Sequence, residues 1–193
     1  MQRRLAQQLA QRGLRQFILE VVVPLNARVG VEWLRGNIEV FEEHLYAEQV
    51  LGLLRQALTH WPPASRAPRL LLTTLPGEAH QLGLLMAHAF LVMEGADCVS
   101  LGAQTPVAEI VKAAAAHRAD IVGLSCGSTP GLRSALPQLH ELRARLDPRM
   151  PLWLGGAPSD RAAAELPAIT AFPSLLTIPA ALGQRRAAHT DAG

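Results

Sequence analysis

The chain has 193 residues, 49% of them hydrophobic, which is enough for one large packed domain or two small ones. Eighteen basic against 16 acidic residues give a formal charge of +2, so the charge offers no strong case for a nucleic-acid footprint or a polybasic membrane anchor. Two cysteines, Cys98 and Cys126, cannot build a disulfide framework and lack zinc-site spacing, which makes a reducing cytoplasm the expected setting.

The N-terminal MQRRLAQQLAQRG is basic, but no apolar signal core follows it. From Leu14 through Phe17, Ile18, Val21, Val22 and Leu25 to Val29, apolar residues recur at helical steps and predict a buried stripe. Gly36 and Asn37 then punctuate, and Asn37 is the expected N-cap of a second helix toward Leu58, with Ile38, Phe41 and Leu45 opening its buried face. Residues 1–60 thus read as a small helical bundle. The proline-rich WPPASRAP (61–68) reads as a linker. From 69 to 184, apolar runs alternate with helical stretches: RLLLTT, HQLGLLMAHAFLVMEG, DCVSLG, TPVAEIVKAAAAH, ADIVGLS, a helix to about Leu146, and PLWLGG. That rhythm predicts an α/β unit with a doubly wound, Rossmann-like or flavodoxin-like parallel sheet. The pattern weakens after Leu166, and residues 185–193 are expected to fray. LGLLMAHAFLVM, the most apolar run, is too short to span a membrane and is broken by His88.

Ligands of such sheets sit beyond the carboxyl ends of the strands. Those ends are Glu78 to His80, Gly102 to Thr105, Ser125 to Ser128, and Gly155 to Pro158. No G-x-G-x-x-G follows the first strand, which argues against a nicotinamide cofactor, and the third strand ends in Ser125, Cys126 and Gly127 rather than in a magnesium-binding carboxylate. Walker-type phosphate loops are absent as well. Taken alone, His80 reads as a surface histidine, Gly155-Gly156 as a turn and Ser125 as a helix cap. His60, His88, His117, His140 and His189 have no supporting pattern and read as structural.

Taken together, these residues carry more. Glu78-Ala79-His80-Gln81-Leu82-Gly83 resembles the D-x-H-x-x-G signature of cobalamin-binding domains, followed after 41 intervening residues by Ser125 and, with 27 residues intervening after Gly127, by Gly155-Gly156. The resemblance implies a corrinoid bound with its dimethylbenzimidazole displaced and His80 ligating cobalt from below. Glu78 is then the carboxylate on the second ring nitrogen, Ser125 a hydroxyl facing the buried benzimidazole, and Gly83, Gly127, Gly155 and Gly156 the lining of its slot. The chain departs from the signature at Glu78, one methylene longer than the usual aspartate, and at Gly127, where the family often has leucine.

Trp33, nine residues and then Glu43-His44 match a W-x9-E-H motif. This chain therefore resembles the MerR-family light-sensing transcriptional regulators that bind adenosylcobalamin, in which a helical bundle caps the upper corrin face. The resemblance spans about Leu14 to Leu166. It implies that Trp33 walls the adenosyl group, that Glu43 and His44, deep in the second helix, bond its polar edges, and that photolysis of the cobalt–carbon bond changes cap packing and assembly. Without it, Trp33 reads as a core anchor and Glu43-His44 as a solvated helix face. Some members carry a histidine just after the tryptophan; Leu34 stands here, which argues against a bis-histidine adduct through that residue. The family's DNA-binding domain is not evident, and Arg3, Arg4, Arg12 and Arg15 read as a solvated helix face rather than a DNA contact. The expected partners are a corrinoid and either further copies of the chain or a transcription regulator, with no membrane. The rival implication is a methyl-carrying corrinoid protein that serves a methyltransferase and uses methylcobalamin at the same His80.

Overall fold

The computed structural model describes residues 1–62, 66–127 and 129–190, and the chain divides into two compact units, Met1–Trp61 and Pro62–Gly193. The helical unit holds α1 (Gln2–Gln16), a π-helical passage (Phe17–Val22), α2 (Val23–Leu34) and α3 (Val40–Thr59). The predicted stripe packs: Leu14, Phe17, Ile18 and Val22 are buried, and Val21, Leu25 and Val29 are half-buried. Phe17, Ile18, Val22, Val50 and Leu54 have no exposed surface and form the centre of this unit. Gly13, at φ +75°, bends α1 in a conformation only glycine adopts readily.

The start of α3 differs from expectation. Its N-cap is Glu39, not Asn37, in a reciprocal capping box where the Glu39 side chain accepts from the N3 backbone and Glu42 accepts the Glu39 N–H at 3.0 Å. Asn37 lies too far back to reach those amides. Its amide instead donates to Glu32 at 2.7 Å and closes the end of α2. Phe41 and Leu45 are exposed and Ile38 only half-buried, because Tyr46, Val50 and Leu54 set the buried face and Phe41 and Leu45 sit one residue, about 100°, around the helix from that row. Glu43 and His44 consequently lie near the beginning of α3 rather than deep within it.

In the α/β unit, five parallel strands run in the order β2-β1-β3-β4-β5: β1 (Arg66–Thr73), β2 (Ala96–Ser100), β3 (Ile121–Ser125), β4 (Leu152–Gly155) and β5 (Ile169–Phe172). Between them lie α4 (Leu82–Met93), α5 (Val107–Ala116), α6 (Thr129–Arg145) and α7 (Ser159–Glu165), and α8 (Ile178–Thr190) follows β5. Parallel sheets bury both faces, which is why Leu70, Leu71 and Leu72 run uninterrupted and are all buried. Leu71, Val122 and Leu152 share one register row and pack with Val107 and Ile110 of α5 and Leu132, Leu139 and Leu142 of α6. Leu70 and Leu72 point the other way, where α4 and α8 pack on β1.

Strand β1 begins three residues inside the expected linker, at Arg66. Beyond Leu166, where periodicity faded, the chain still makes β5, held by backbone pairing to β4 and by Trp153 against Phe172 at 4.6 Å between ring centroids. Residues 185–190, expected to fray, continue α8 to Thr190. Arg186 ties this helix down by donating to the carbonyls of Ala67 (2.9 Å) and Glu94 (2.8 Å).

Candidate functional site

Strand order reverses at β1, whose neighbours β2 and β3 are reached in opposite directions, so a crevice is expected outside the carboxyl ends of β1 and β3. The loop after β1 carries Glu78 and His80; β3 ends at Ser125, with Cys126 and Gly127 next. The structure therefore brings the two halves of the sequence signature to one place. Glu78 is 6% exposed while the His80 side chain is 74% exposed. Glu78 Oε1 accepts from the His80 backbone N–H at 3.0 Å and lies 2.7 Å from His80 Nδ1; Oε2 accepts the Gly127 N–H at 2.7 Å.

Burial opposes ionisation of Glu78, but the hydrogen bonds from the His80 ring, the Gly127 amide and the His80 amide outweigh it and hold the carboxyl below its ordinary range. An ionised carboxylate only accepts, so Nδ1 carries the proton and the lone pair of the neutral ring lies on Nε2. A buried anion thus aims an exposed imidazole.

The supporting loop is braced by Thr73, Thr74 and Gln138, which the sequence did not single out, and by Gln104 and Thr105 of the expected Gly102-to-Thr105 strand end. Thr74 donates through Oγ1 to the Glu78 carbonyl at 2.6 Å and accepts the Gln104 N–H at 2.8 Å. Gln104 holds a left-handed φ of 59°, and its side chain accepts from Gly77 N–H at 3.4 Å. Thr73 and Thr105 hydroxyls meet at 2.7 Å, and Gln138 of α6 donates to the Pro76 carbonyl at 3.1 Å. The one signal available was a Thr-Thr pair closing an apolar strand.

The glycines are there for close approach. A Cβ on Gly83, at the start of α4, would stand 3.0 Å from Ser125 Oγ, closer than ordinary contact, so a side chain there would have to displace the serine hydroxyl. Gly156 has φ +115°, and a Cβ would fall 2.0 Å from the Cys126 carbonyl oxygen, which no side chain can do. Gly155 ends β4, paired with Ser125. Ser128, the last of the expected third-strand loop, lies outside the described residues.

In the helical unit, Trp33 is 48% exposed rather than a core anchor, and Leu34 is exposed beside it. Glu43 is half-buried and His44 exposed, with His44 Nε2 3.6 Å from Glu43 Oε2.

A B12 binding domain model matches residues 68–172, which covers all but the first two residues of the sheet and the whole Glu78–Gly156 constellation. The chain belongs to the B12-binding domain family. It is 35% identical over 138 residues to the HTH-type transcriptional repressor CarH of Myxococcus xanthus, an alignment covering 72% of this chain and 46% of that protein. The chain thus spans about half the length of that curated relative. Among solved structures, it is similar to the Methanosarcina barkeri monomethylamine corrinoid protein, with TM-score 0.73 and 18% identity over 91% of this chain and 86% of that one. It is also similar to a cobalamin-binding protein from Desulfitobacterium hafniense DCB-2, with TM-score 0.52 and 19% identity over 96% and 98%. At these identities the two likenesses are of fold.

The residues of this B12-binding unit fit a corrinoid. Glu78 holds one exposed imidazole at 2.7 Å, and among the described residues no three His, Cys, Asp or Glu side chains gather in a metal-holding group. Among the described residues, no helix is long and apolar enough to cross a membrane.

Proposed function

We propose that this chain is a light-sensing regulatory module that binds adenosylcobalamin base-off, with His80 as lower axial ligand. The observation that carries the reading is the Glu78–His80 pair at 2.7 Å, a buried carboxylate orienting an exposed imidazole at the point where the sheet reverses. When bound, the cofactor supplies a cobalt–carbon bond that light can break. The chain's own residues do the rest. Glu78 fixes the tautomer and raises the basicity of the ring, so Nε2 is the ligating nitrogen. Ser125 offers its hydroxyl, and Gly83, Gly127, Gly155 and Gly156 leave the backbone bare where a displaced nucleotide tail would lie along it.

On the upper face, Trp33 presents a flat apolar wall, and Glu43 and His44 supply hydrogen-bonding edges. A helical surface that packs on a bulky adenosyl group loses that contact when the group leaves, and its packing and assembly change. Output passes to further copies of the chain or to a transcription regulator, with no reaction catalysed. The likeness to CarH in sequence and the W-x9-E-H residues support this reading over a methyl carrier.

The test is a set of visible spectra with adenosyl- and methylcobalamin, in the dark and after green light, each followed by size-exclusion chromatography. A preference for adenosylcobalamin, a base-off spectrum lost in His80→Ala and a light-dependent change in assembly are expected. Preference for methylcobalamin with no change in assembly would identify a methyl carrier instead.

A further inference from the structure

The clamp on Glu78 depends on a residue that contributes no side chain. Gly77, Gly102 and Gly156 have positive φ angles that require glycine; Gly127 does not, and its surface is exposed. Nothing in the backbone therefore demands glycine at 127. The constraint comes from Glu78: a Cβ on residue 127 would stand 3.3 Å from Glu78 Oε2, closer than ordinary contact, with Cδ and Oε1 in contact at 3.8 Å, so the bonded oxygen must give by a few tenths of an ångström. That carboxylate spans from the His80 ring and amide on one side to the Gly127 amide, 49 residues away, on the other. An aspartate on the same backbone has one C–C bond, about 1.5 Å, less reach. Hydrogen bonds to nitrogen tolerate only a few tenths of an ångström, so the shorter side chain cannot keep both ends.

We propose that Gly127 is a positioning residue for His80, the space it leaves open being what lets a glutamate fasten the histidine loop to the end of β3. The proposal rests on the reading of His80 as the axial ligand for its consequence, but not for its geometry. Residues 78 and 127 act as one unit: glutamate needs glycine opposite, and a side chain at 127 is tolerated only with a shorter acid at 78. Their substitutions should be strongly non-additive.

The experiment is a double-mutant cycle of Gly127→Leu and Glu78→Asp in the full chain. The first readout uses protein without cofactor: 15N NMR of His80 followed through a pH series, with the tautomer read where the ring has lost its second proton. The wild type should show the Nδ1–H tautomer. Gly127→Leu should mix the tautomers, and adding it to Glu78→Asp should change little further. The second readout is hydroxocobalamin affinity together with the spectrum of imidazole ligation, with Gly127→Leu about tenfold weaker, the range expected for losing an outer partner of a metal-bound histidine. In the Glu78→Asp background the same substitution should cost less than about threefold. An unchanged tautomer in Gly127→Leu, or equal damage in both backgrounds, overturns the coupling. A His80→Ala variant that keeps the wild-type ligation spectrum would instead refute the ligand assignment, while the tautomer result would still decide the coupling.

Discussion

The loop after β1, and the end of α2 with the start of α3, carry the two groups of residues that the sequence motifs single out, and they are built in opposite ways. Glu78 and His80 sit in a mesh of hydrogen bonds from Thr74, Gln104, Gln138 and Gly127, so their geometry is set by the sheet. Trp33, Leu34, Phe41 and Leu45 are all exposed apolar residues, and Glu43 and His44 meet only at 3.6 Å. One region is preorganised by the fold; the other leaves apolar side chains exposed. An apolar surface of this kind contributes little to the stability of the free chain and reports on what binds it.

The contrast can be attacked first where the fold is tightest. Gly156→Ala forces a carbon against the Cys126 carbonyl and an unfavourable φ, so it should cost on the order of 3 kcal/mol or more, measured by denaturant unfolding. Next, His80→Ala should weaken corrinoid binding about 10- to 100-fold and remove lower axial ligation, and in the cofactor-free protein should lower stability by about 1–3 kcal/mol, because buried Glu78 loses its ring partner. Titration gives a third test. The His88 imidazole is held below its ordinary value by burial, so the folded chain binds fewer protons than the unfolded one. Stability should therefore fall as pH drops below about 6.5, and His88→Leu should flatten that slope in thermal melts. The smallest effect belongs to the other region: Trp33→Ala should change stability by less than about 0.5 kcal/mol and spare corrin uptake, yet reduce discrimination between adenosyl- and methylcobalamin. A large loss of stability there would make Trp33 a core anchor and erase the contrast.

Legibility follows the same division. The β-α rhythm and the fold class could be read because parallel strands are buried on both faces and appear as unbroken apolar runs such as Leu70-Leu71-Leu72. Strand β5 was missed because ITAF is four residues long, with Thr170 exposed, and is held by pairing and by Trp153 rather than by its own pattern. Glu78, His80, Ser125 and the Gly pair could be placed together only through the resemblance of their order and spacing to the family signature. Thr73, Thr74 and Gln104 could not, since their roles depend on loops that meet only in three dimensions. The Asn37 cap failed because residue type outweighed the position of the helix start, which the Glu39–Glu42 box fixes. Phe41 and Leu45 failed with it, since apolar residues at the right step are not thereby on the inner face.

Arg186 bears on how the α/β unit reaches its final state. By bonding the carbonyl of Ala67 across 119 residues, it joins the most distant parts of that unit, and closures over such separations carry the greatest entropic cost and form late. During synthesis the sheet could assemble from β1 to β5 while α8 is still missing, leaving the face of β1 that this helix covers open to wrong partners until the guanidinium arrives.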